Sequence, residues 1–585
     1  MNTKIDKYRN LDVPVPDKTW LWNMYGPGIE NIGLDGEAEQ QAVPRPSDNQ
    51  LLVRVDSVGM CFSDVKLIQQ GGDHPKLYNR DLKSNPTRLG HEAALTVIEV
   101  GKNLKGEYAP GQRLAVQPDI YQDNISTAYG YTIPGGLTQF HLVGPEILDA
   151  DDGAYVISVD DELGYAETAL TEPWACVEAA YTQRRRLSPK SGGWMWIIGQ
   201  VDDSAEYSFA KGIQAPATIV TSNLPESLKE EIAAQKARGA KVIRRDDLTI
   251  EDIPGFVKEL TSKRGFDDIV ILDPPSATFV SEVAKHIAFR GTLNIIGQQP
   301  LSEKVDLDIG RIHYHYTAYV GNRGPDIDAS YGEQRNRAEL AEGGTAVFIG
   351  AGGPMGQMHV QRAIEMPDGP AVLVATEVNE ERLKVLEERF GPLAKKHHKQ
   401  LHAFSPSTSE VGLLAFIQEL TDGRGADDVV ASVPVAALIE EAADLLGNNG
   451  MLVLFAGVPN STYAPLDINS VYLHNAQFTG TSGSGLDDQR AVIAKAQSNQ
   501  LSPNRSVAAI GGMQAARDGI EAMMTGKYAG KVVIFPQINE LPLIGLDELA
   551  ETYPEIAKTL GEDEMWTLES EVALIEHFWK VDNDK

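Results

Sequence analysis

The sequence predicts an α/β protein in which a β-rich N-terminal domain precedes two tandem domains built on doubly wound parallel sheets. Up to about residue 187 the chain has short, apolar, β-branched runs such as 51–58 and 94–100, which glycine and proline separate. From about residue 188 onwards, apolar strand patterns alternate with helical patterns, which is typical of βαβ units. This alternating part occurs twice, so we expect a duplicated domain.

The duplication is indicated by three pairs of similar segments that occur in the same order, with an offset close to 160 residues. One such match could arise by chance, but three across a domain-length unit indicate a repeat. The pairs, first copy and then second, are RGFDDIV (264–270) with RGADDVV (424–430), GGWMWIIG (192–199) with GGTAVFIG (343–350), and GTLNIIG (291–297) with GMLVLFAG (450–457).

Four further elements complete the predicted organisation. A helix is expected to begin near Glu172, because Pro173 suits the first turn of a helix. The polar segment 326–342 is predicted to join the two copies, and the apolar run 530–535 to form a late strand. The acidic residues beyond 537 show two helical patterns, which predict a solvated extension that packs on the body.

Composition and charge exclude several classes of protein. A net charge of −31 and a pI of about 4.8 disfavour binding to nucleic acid and to anionic membranes. The N-terminus does not resemble a signal peptide, and no run of about 18 apolar residues predicts a membrane span. The two cysteines, Cys61 and Cys176, exclude a four-cysteine zinc site and fit a reducing cytoplasm better than a disulfide framework.

A glycine-rich turn in the second copy predicts a dinucleotide site. The strand 346–349 runs into Gly350, Gly353 and Gly356, and a helix is expected over 357–365. Glycines at such a turn let the backbone approach a diphosphate, and the helix N-terminus supplies N–H donors. Pro354 and Met355 complete the turn, and Gly457 ends a later strand of the same copy. The alternative is a glycine-rich turn without a ligand.

An acidic residue at the end of the next strand predicts the type of dinucleotide. Glu377 follows Gly356 by 21 residues, just after the strand 371–375. A carboxylate there can accept hydrogen bonds from both ribose hydroxyls of NAD, and it would repel the 2′-phosphate of NADP. The sequence therefore predicts NAD as the cofactor of the second copy.

The first copy has lost these features. Gly350, Gly353 and Gly356 correspond to Gly199, Asp202 and Ala205, and Ser222 stands where the second copy has Glu377. The adjacent carboxylates of Asp202 and Asp203 would repel a diphosphate. We therefore predict a structural domain without cofactor; the alternative is a changed ligand, such as a cation or a sugar.

Three separate motifs of the N-terminal domain indicate a metal site. Cys61 and Ser63 precede His91-Glu92 by about thirty residues, and Glu172 and Cys176 follow at the expected helix. A thiolate, an imidazole and a carboxylate can form an open zinc site with room for a substrate. Each motif alone is a weak signal, because a buried cysteine is usually a small core residue.

Together the motifs resemble the zinc-type, medium-chain alcohol and polyol dehydrogenase family, nearest to its sorbitol dehydrogenase and L-sorbose 1-phosphate reductase branch. The similar segments are Gly353-Pro-Met-Gly356, Glu172-Pro-x-x-Cys176 and Gln117-Pro118. The resemblance spans residues 40–536 and implies a GroES-like catalytic domain with Rossmann-type domains. The extra α/β copy, the absence of a structural-zinc cysteine lobe and Ala351 depart from the family pattern.

The resemblance also implies roles for the motif residues. Cys61 and His91 would ligate a catalytic zinc ion, while Glu92 and Glu172 would compete for, or share, the remaining protein ligand position. Ser63 would relay the proton of the alcohol. The implied domains are a catalytic zinc-binding domain (1–187), a degenerate Rossmann-type domain (188–325), a linker (326–342), an NAD-binding Rossmann domain (343–482), a return segment to the catalytic domain (483–537) and an acidic helical tail (538–585).

The predicted function is a zinc-dependent oxidoreductase that transfers a hydride between NAD(H) and a secondary alcohol or ketone of a polyol, sugar or sugar phosphate. The alternatives are a zinc-free reductase of the same superfamily and a non-catalytic binding or scaffold protein. Basic residues that could bind a phosphate are Lys66, Arg80, Lys83 and Arg88, and each is also explained as a surface charge. His313 and His315 of the first copy are expected to pack or form hydrogen bonds.

The retained core of the first copy suggests a role in assembly. Because subunits of this family pair through their nucleotide-domain sheets, we expect the first copy to take the partner's place within one chain. The two sheets would then pair edge to edge. The predicted assembly is a monomer with this internal pseudo-dimer, or a homo-oligomer.

Overall fold

The computed structural model describes residues 3–213 and 215–580. The chain forms two compact units, one made of residues 1–179 with 483–585 and the other of residues 180–482. The first unit thus ends before residue 187 and includes the segments expected as a return segment and a tail.

The first unit contains an eight-stranded, mostly antiparallel sheet, as its short β-branched runs predict. The strand Phe140–Val143 pairs with Leu51–Gly59 beside the main order. That order is Val156–Val159, Arg113–Val116, Glu92–Val100, Leu51–Gly59, Lys531–Phe535, Val507–Gly512 and Ile544–Gly545. Short pairs join Lys18–Leu21 to Glu39–Ala42, Asn23–Met24 to Thr87–Arg88, and Tyr121–Gln122 to Ile125–Ser126.

One helix of this unit begins earlier than the sequence predicts. The helices are Lys4–Arg9, Phe62–Gln70, Pro145–Leu148, Tyr165–Ala179, Leu486–Gln497, Ala516–Thr525, Leu549–Thr552, Pro554–Ala557 and Leu568–Phe578. The expected start near Glu172 is wrong, because the helix starts at Tyr165 and Pro173 lies inside it. The buried carboxylate of Glu571 accepts hydrogen bonds from the backbone N–H groups of Tyr165 (2.6 Å) and Ala166 (2.7 Å). A distant residue therefore satisfies the N–H groups that begin this helix.

The second unit contains one twelve-stranded sheet made of two six-stranded halves. Each half has the strand order 3-2-1-4-5-6 that is typical of dinucleotide-binding domains. From one edge to the other, the strands are Lys241–Arg244, Thr218–Ser222, Trp194–Ile198, Phe266–Leu272, Ile287–Ile296, Ala318–Asn322, Gln477–Gly480, Leu446–Leu454, Ala426–Ala431, Thr345–Ile349, Val372–Thr376 and Gln400–Phe404. The helices are Lys229–Ala237, Ile253–Thr261, Ala277–Ala284, Ile309–Tyr314, Pro354–Glu365, Glu380–Lys396, Leu413–Leu420, Ala436–Asp444 and Asn469–His474.

The two halves meet around a local two-fold axis. The segment 307–315 (LDIGRIHYH) matches 466–474 (LDINSVYLH), so Tyr319 corresponds to Phe478 and Asp306 to Pro465. These counterparts pair with each other: Tyr319 with Phe478 in the central sheet, and Asp306 with Pro465 between Val305–Asp308 and Tyr463–Leu466. Pairing between equivalent residues defines an isologous interface, as in a two-fold dimer. The expectation of edge-to-edge pairing is confirmed.

The segment 326–342 packs into the second unit. Tyr331, Asn336 and Leu340 are buried, and the Asn336 side chain donates hydrogen bonds to the carbonyls of Ser330 (3.0 Å) and Gly332 (3.1 Å). This connection is therefore part of the core and is not an exposed linker.

Within the described parts of the chain, no helix is both long enough and apolar enough to cross a membrane.

Candidate metal centre and cofactor site

Strand pairing in the first unit brings the metal motifs together. Cys61 stands between the strand Leu51–Gly59 and the helix Phe62–Gln70, and Gly59 pairs with Glu92 at the start of the neighbouring strand. The ligand atoms of Cys61, His91 and Glu92 all lie within 4.8 Å of one another. His91 and Glu92 are buried, whereas Cys61 is partly exposed. The arrangement leaves access to the cluster from the cysteine side.

Asp64 holds two members of this cluster in place. Its carboxylate accepts a hydrogen bond from the backbone N–H of Cys61 (3.1 Å) and lies 3.1 Å from Nδ1 of His91. Burial lowers the pKa of His91, but Asp64 together with Tyr131 and Cys61 raises that pKa well above its usual value. With Nδ1–H donating to Asp64, Nε2 is free to bind a metal ion. The sequence analysis gave Asp64 no role, although its position three residues after Cys61 was a usable signal.

The hydrogen bonding of Glu92 indicates whether a cation fits between the three ligand residues. One carboxylate oxygen accepts a hydrogen bond from the buried ammonium of Lys531, while Oε2 is buried without a hydrogen-bond partner among the described residues. A buried, unsatisfied carboxylate oxygen is costly unless a cation binds it. A thiolate, an imidazole and this carboxylate form a donor set that fits zinc with one open position. A Cβ on Gly59 would collide with Glu92, so glycine is required there.

Glu172 lies outside the group of three ligands. It is buried in the helix Tyr165–Ala179, with the Cys176 sulfur 3.9 Å from its carboxylate. Burial raises the pKa of Glu172 to about 7, and the negative Glu92 contributes in the same direction. Cys176 Sγ also lies 3.8 Å from Ser484 Oγ, and burial raises the pKa of this thiol. Burial therefore disfavours the charged forms of both Glu172 and Cys176, which lie one turn apart on this helix.

Other polar residues of the unit surround the cluster. Ser63 is partly buried in the first turn of the helix Phe62–Gln70. Gln117 donates a hydrogen bond to Ser484 Oγ at 3.0 Å. Tyr131 contacts His91, with ring centroids 5.7 Å apart, and Lys76 Nζ lies 4.9 Å from the Tyr131 centroid and 2.6 Å from Asp119. Lys76 was not anticipated by the sequence analysis.

The four basic residues considered for phosphate binding fall into two groups. Arg80 donates a hydrogen bond to the Thr132 carbonyl (2.9 Å), and Arg88 donates one to the Gly135 carbonyl (2.7 Å). Both arginines therefore stabilise the loop that contains residues 132–135. Lys66 and Lys83 are exposed.

The predicted glycine turn of the second copy has the expected backbone. Gly350 follows the strand Thr345–Ile349 and has a φ of +73°, which favours glycine. Gly353 caps the helix Pro354–Glu365, and Met355 lies in its first turn. A Cβ on Gly356 would lie 2.6 Å from the Gly350 carbonyl oxygen, whereas a Cβ on Gly353 would have open space within 4 Å. Gly356 therefore allows close packing, and Gly353 leaves room in front of the helix N-terminus.

Glu377 follows the strand Val372–Thr376 and reaches this turn. One of its carboxylate oxygens accepts hydrogen bonds from the N–H groups of Val378 (2.8 Å) and Asn379 (2.9 Å). A Cβ on Gly352 would lie 2.8 Å from the carboxyl carbon of Glu377. Gly352, which the sequence analysis did not single out, thus makes room for this carboxylate, and the pair of glycines at 352–353 was the signal for it.

The corresponding turn of the first copy is built differently. Among the described residues, no helix lies between Trp194–Ile198 and Thr218–Ser222, and Asp202 adopts a positive φ of 62°. Tyr207, Phe209 and Ile213 instead pack against the sheet in an apolar cluster. Ser222 Oγ accepts a hydrogen bond from the Trp196 indole at 3.1 Å. Tyr207, Phe209 and Ile213 therefore form an irregular apolar plug after Gly199, and Ala205 is exposed outside it. Within the described ranges of the chain, no helix N-terminus follows this turn to face a diphosphate.

Residues of the first copy also lie at the end of a second-copy strand. His313 Nδ1 lies 3.1 Å from the Leu454 carbonyl oxygen, and a Cβ on Gly457 would lie 2.9 Å from His313 Nε2. His315 lies 3.1 Å from the Arg311 guanidinium and 3.2 Å from the Asn460 amide. Both histidines thus pack and form hydrogen bonds, as expected.

Two family models match the chain. The model described as "Alcohol dehydrogenase GroES-like domain" matches residues 47–148, and the model described as "Zinc-binding dehydrogenase" matches residues 354–498. Neither match includes the first α/β copy. The matches thus cover the region of the metal motifs and the region that begins at the glycine turn of the second copy.

Similar proteins include long relatives and solved structures. Mannitol-1-phosphate 5-dehydrogenase of Aliivibrio fischeri is 29% identical over 92% of this chain and 94% of its own length. L-sorbose 1-phosphate reductase of Klebsiella pneumoniae is 23% identical over 94% and 97%, and YggP of Escherichia coli is 31% identical over 49% and 71%. The structure of 2R,3R-butanediol dehydrogenase from Bacillus subtilis has a TM-score of 0.50 at 16% identity, covering 88% of this chain and 99% of that chain. This last similarity shows a shared fold.

Proposed function

The chain belongs to the zinc-type, medium-chain alcohol and polyol dehydrogenase family, and we propose that it transfers a hydride between NAD(H) and a secondary alcohol or ketone of a polyol, sugar or sugar phosphate. The observation that carries the proposal is the cluster of Cys61, His91 and Glu92, in which Glu92 Oε2 is buried without a partner among the described residues. Such an oxygen, beside a thiol and an imidazole, fits a cation ligand.

The residues of the first unit would have different roles at this metal centre. When bound, zinc supplies a Lewis acid for the oxygen of an alcohol or ketone, and NAD supplies the hydride acceptor. Cys61, His91 and Glu92 would hold the ion, and Asp64 keeps His91 Nε2 available for it. Glu172 lies outside this group, so we propose Glu92 as the third protein ligand. Ser63 would accept the proton of the substrate hydroxyl and pass it toward solvent.

The second copy would hold the cofactor. Gly350, Gly353 and Gly356 supply the turn, and the N–H groups at the start of the helix Pro354–Glu365 would face the diphosphate. The Glu377 carboxylate at the neighbouring strand end would accept the ribose hydroxyls, which supports NAD over NADP. Gly457 would lie beside the nicotinamide half.

The substrate class is proposed from the long relatives. Two relatives that align over more than nine-tenths of this chain are named for a polyol phosphate and a sugar phosphate. Lys76 is a cation held beside the Tyr131 ring that contacts His91, where a phosphate ester could pair with it. A phosphorylated polyol is therefore the first substrate to test.

The experiment combines metal analysis with turnover. We expect one catalytic zinc per chain, NADH formation when NAD is supplied with mannitol 1-phosphate or sorbitol, and NADH consumption when NADH is supplied with sorbose 1-phosphate. A chelator should abolish the activity, and zinc should restore it. His91→Ala should lose both zinc and turnover, because it removes a ligand. His474→Ala, which changes an exposed histidine of the second copy, should lose neither.

Two outcomes would overturn this proposal. Turnover by a metal-free protein would indicate a zinc-free reductase. Bound zinc and NAD without turnover of any alcohol in the panel would indicate a binding protein that keeps the fold.

A further inference from the structure

The degenerate first copy contributes side chains to the cofactor end of the second copy. His313 and Tyr314 belong to the helix Ile309–Tyr314 of the first copy, and both lie against Gly457 of the second. A Cβ on Gly457 would lie 2.9 Å from His313 Nε2 and would collide with the Tyr314 hydroxyl. The rings of His313 and Tyr314 pack edge to face, with centroids 4.5 Å apart. This helix therefore forms one wall of the strand end at Gly457.

The local two-fold axis provides a reciprocal contact for comparison. Tyr472 is the counterpart of His313 and lies against Gly297 and Gly321 of the first copy. A Cβ on Gly321 would lie 2.6 Å from Tyr472 Cβ, and a Cβ on Gly297 would lie 3.5 Å from the Tyr472 ring. The Tyr472 side chain is fully buried, and its hydroxyl donates a hydrogen bond to the Gln299 carbonyl at 2.7 Å. Tyr472 thus covers the strand ends of the first copy.

The contact at Gly457 of the second copy differs at two positions from the reciprocal contact at Gly297 and Gly321 of the first copy. The smaller His313 replaces the covering tyrosine, and Tyr314 stands where the second copy has Leu473. Tyr314 is 38% exposed, and its hydroxyl has no hydrogen-bond partner among the described residues. An exposed phenol beside the carboxyl ends of parallel strands lies where dinucleotides bind in this type of sheet. The first copy thus places beside Gly457 a hydroxyl without a hydrogen-bond partner among the described residues, whereas the equivalent helix of the second copy covers the strand ends of the first copy with Tyr472.

We propose that Tyr314 of the first copy binds the nicotinamide half of the NAD that the second copy holds. The inference rests on the proposed function, because it needs the cofactor in the second copy. The phenol can donate to, or accept from, the carboxamide group of the nicotinamide. The diphosphate and adenine half lies at the glycine turn and does not need Tyr314. The duplication then supplies, within one chain, a tyrosine hydroxyl for the cofactor site of the second copy.

The test separates the two halves of the cofactor. Tyr314→Phe keeps the ring that packs on His313 and removes only the hydroxyl. We expect its Kd for NADH to rise about three- to tenfold, as for one lost hydrogen bond. Its Kd for ADP-ribose, which lacks nicotinamide, should stay within about twofold of the unmodified protein. Tyr463→Phe, at an exposed tyrosine of the strand Tyr463–Leu466, should change neither value.

Each other outcome has a distinct meaning. If the unmodified protein binds neither NADH nor ADP-ribose, the proposed function fails, and this inference fails with it. If the unmodified protein binds both and Tyr314→Phe binds NADH equally well, only this inference is overturned. An equal loss of NADH and ADP-ribose affinity would also overturn it, because the hydroxyl would then act on the whole site.

Discussion

The two α/β copies share a sheet order and differ at the turn where a dinucleotide would bind. Both keep an ion pair between a partly exposed arginine that precedes the first strand and a buried aspartate: Arg186 with Asp268 (3.0 Å) in the first copy and Arg337 with Asp428 (2.5 Å) in the second. Among the described residues, the second copy has a helix behind its glycine turn and the first copy has none at the equivalent place. The first copy has therefore kept the interactions that hold the sheet and lost those that suit a ligand.

The paired aspartates show how closely the retained parts agree. Asp268 and Asp428 are both buried, and each also accepts a backbone N–H hydrogen bond, from Lys190 (2.9 Å) and Ala341 (2.8 Å) respectively. Burial raises the pKa of Asp268 and raises that of Asp428 to about 6, while the facing arginine opposes this in each copy. In each copy, an arginine and a backbone N–H group thus compensate a buried aspartate whose burial alone would be unfavourable. Removing the arginine is therefore expected to destabilise either copy.

Removing either arginine tests whether the two pairs contribute equally to the free energy of unfolding. We expect Arg186→Met and Arg337→Met each to lower the free energy of unfolding by about 3 kcal/mol, because each leaves a buried carboxylate unpaired. Denaturant unfolding measures this loss. Arg244→Met, at an exposed arginine that pairs with Asp246, should cost less than about 0.5 kcal/mol. A loss confined to Arg337→Met would contradict a structural role for the first copy's pair.

Changing the second turn toward the first tests the difference in ligand binding. Gly353→Asp places a carboxylate in the open space before the helix Pro354–Glu365, where the diphosphate would lie. We expect the Kd for NADH to rise about 100-fold through charge repulsion at short range. Fluorescence titration checks this, with Gly353→Asn as the uncharged control of similar size.

The reverse change should have no effect on cofactor affinity. Asp202→Gly removes a carboxylate from the first copy but cannot supply the missing helix behind the turn. A second NADH site in Asp202→Gly would mean that the charge alone, and not the lost helix, separates the two copies.

The sequence predicted much of this fold because its signals were local or repeated. Alternating strand and helix patterns predicted both six-stranded halves of the large sheet in the second unit, and the edge-to-edge pairing followed from the duplication. The start of the helix at Tyr165 could not be predicted, because Glu571 supplies its N-terminal hydrogen bonds from about 400 residues away. The apolar plug of Tyr207, Phe209 and Ile213 was also missed, since no local pattern shows that a helix has been replaced.

At the candidate site, motif spacing identified the residues but not their partners. Cys61, His91 and Glu92 come together because their two strands pair. Lys531 reaches Glu92 from a strand far along the chain, and no spacing rule links the two. The choice between Glu92 and Glu172 likewise depended on three-dimensional positions. Contacts between distant segments are what a single sequence leaves open.

The smallest expected effect concerns the choice between NAD and NADP. Glu377 corresponds to Ser222, whose hydroxyl accepts a hydrogen bond from the Trp196 indole, so the second copy has a carboxylate where the first copy has none. Glu377→Gln keeps the shape of the side chain and removes its charge. We expect the NAD-over-NADP affinity ratio to fall about tenfold, because the repulsion of the 2′-phosphate is lost. Glu380→Gln, at an exposed glutamate in the first turn of the next helix, should leave the ratio unchanged. If the NAD-over-NADP affinity ratio of Glu377→Gln is unaltered, another group sets the cofactor preference. The difference between Glu377 and Ser222 would then not explain how the two copies differ in ligand binding.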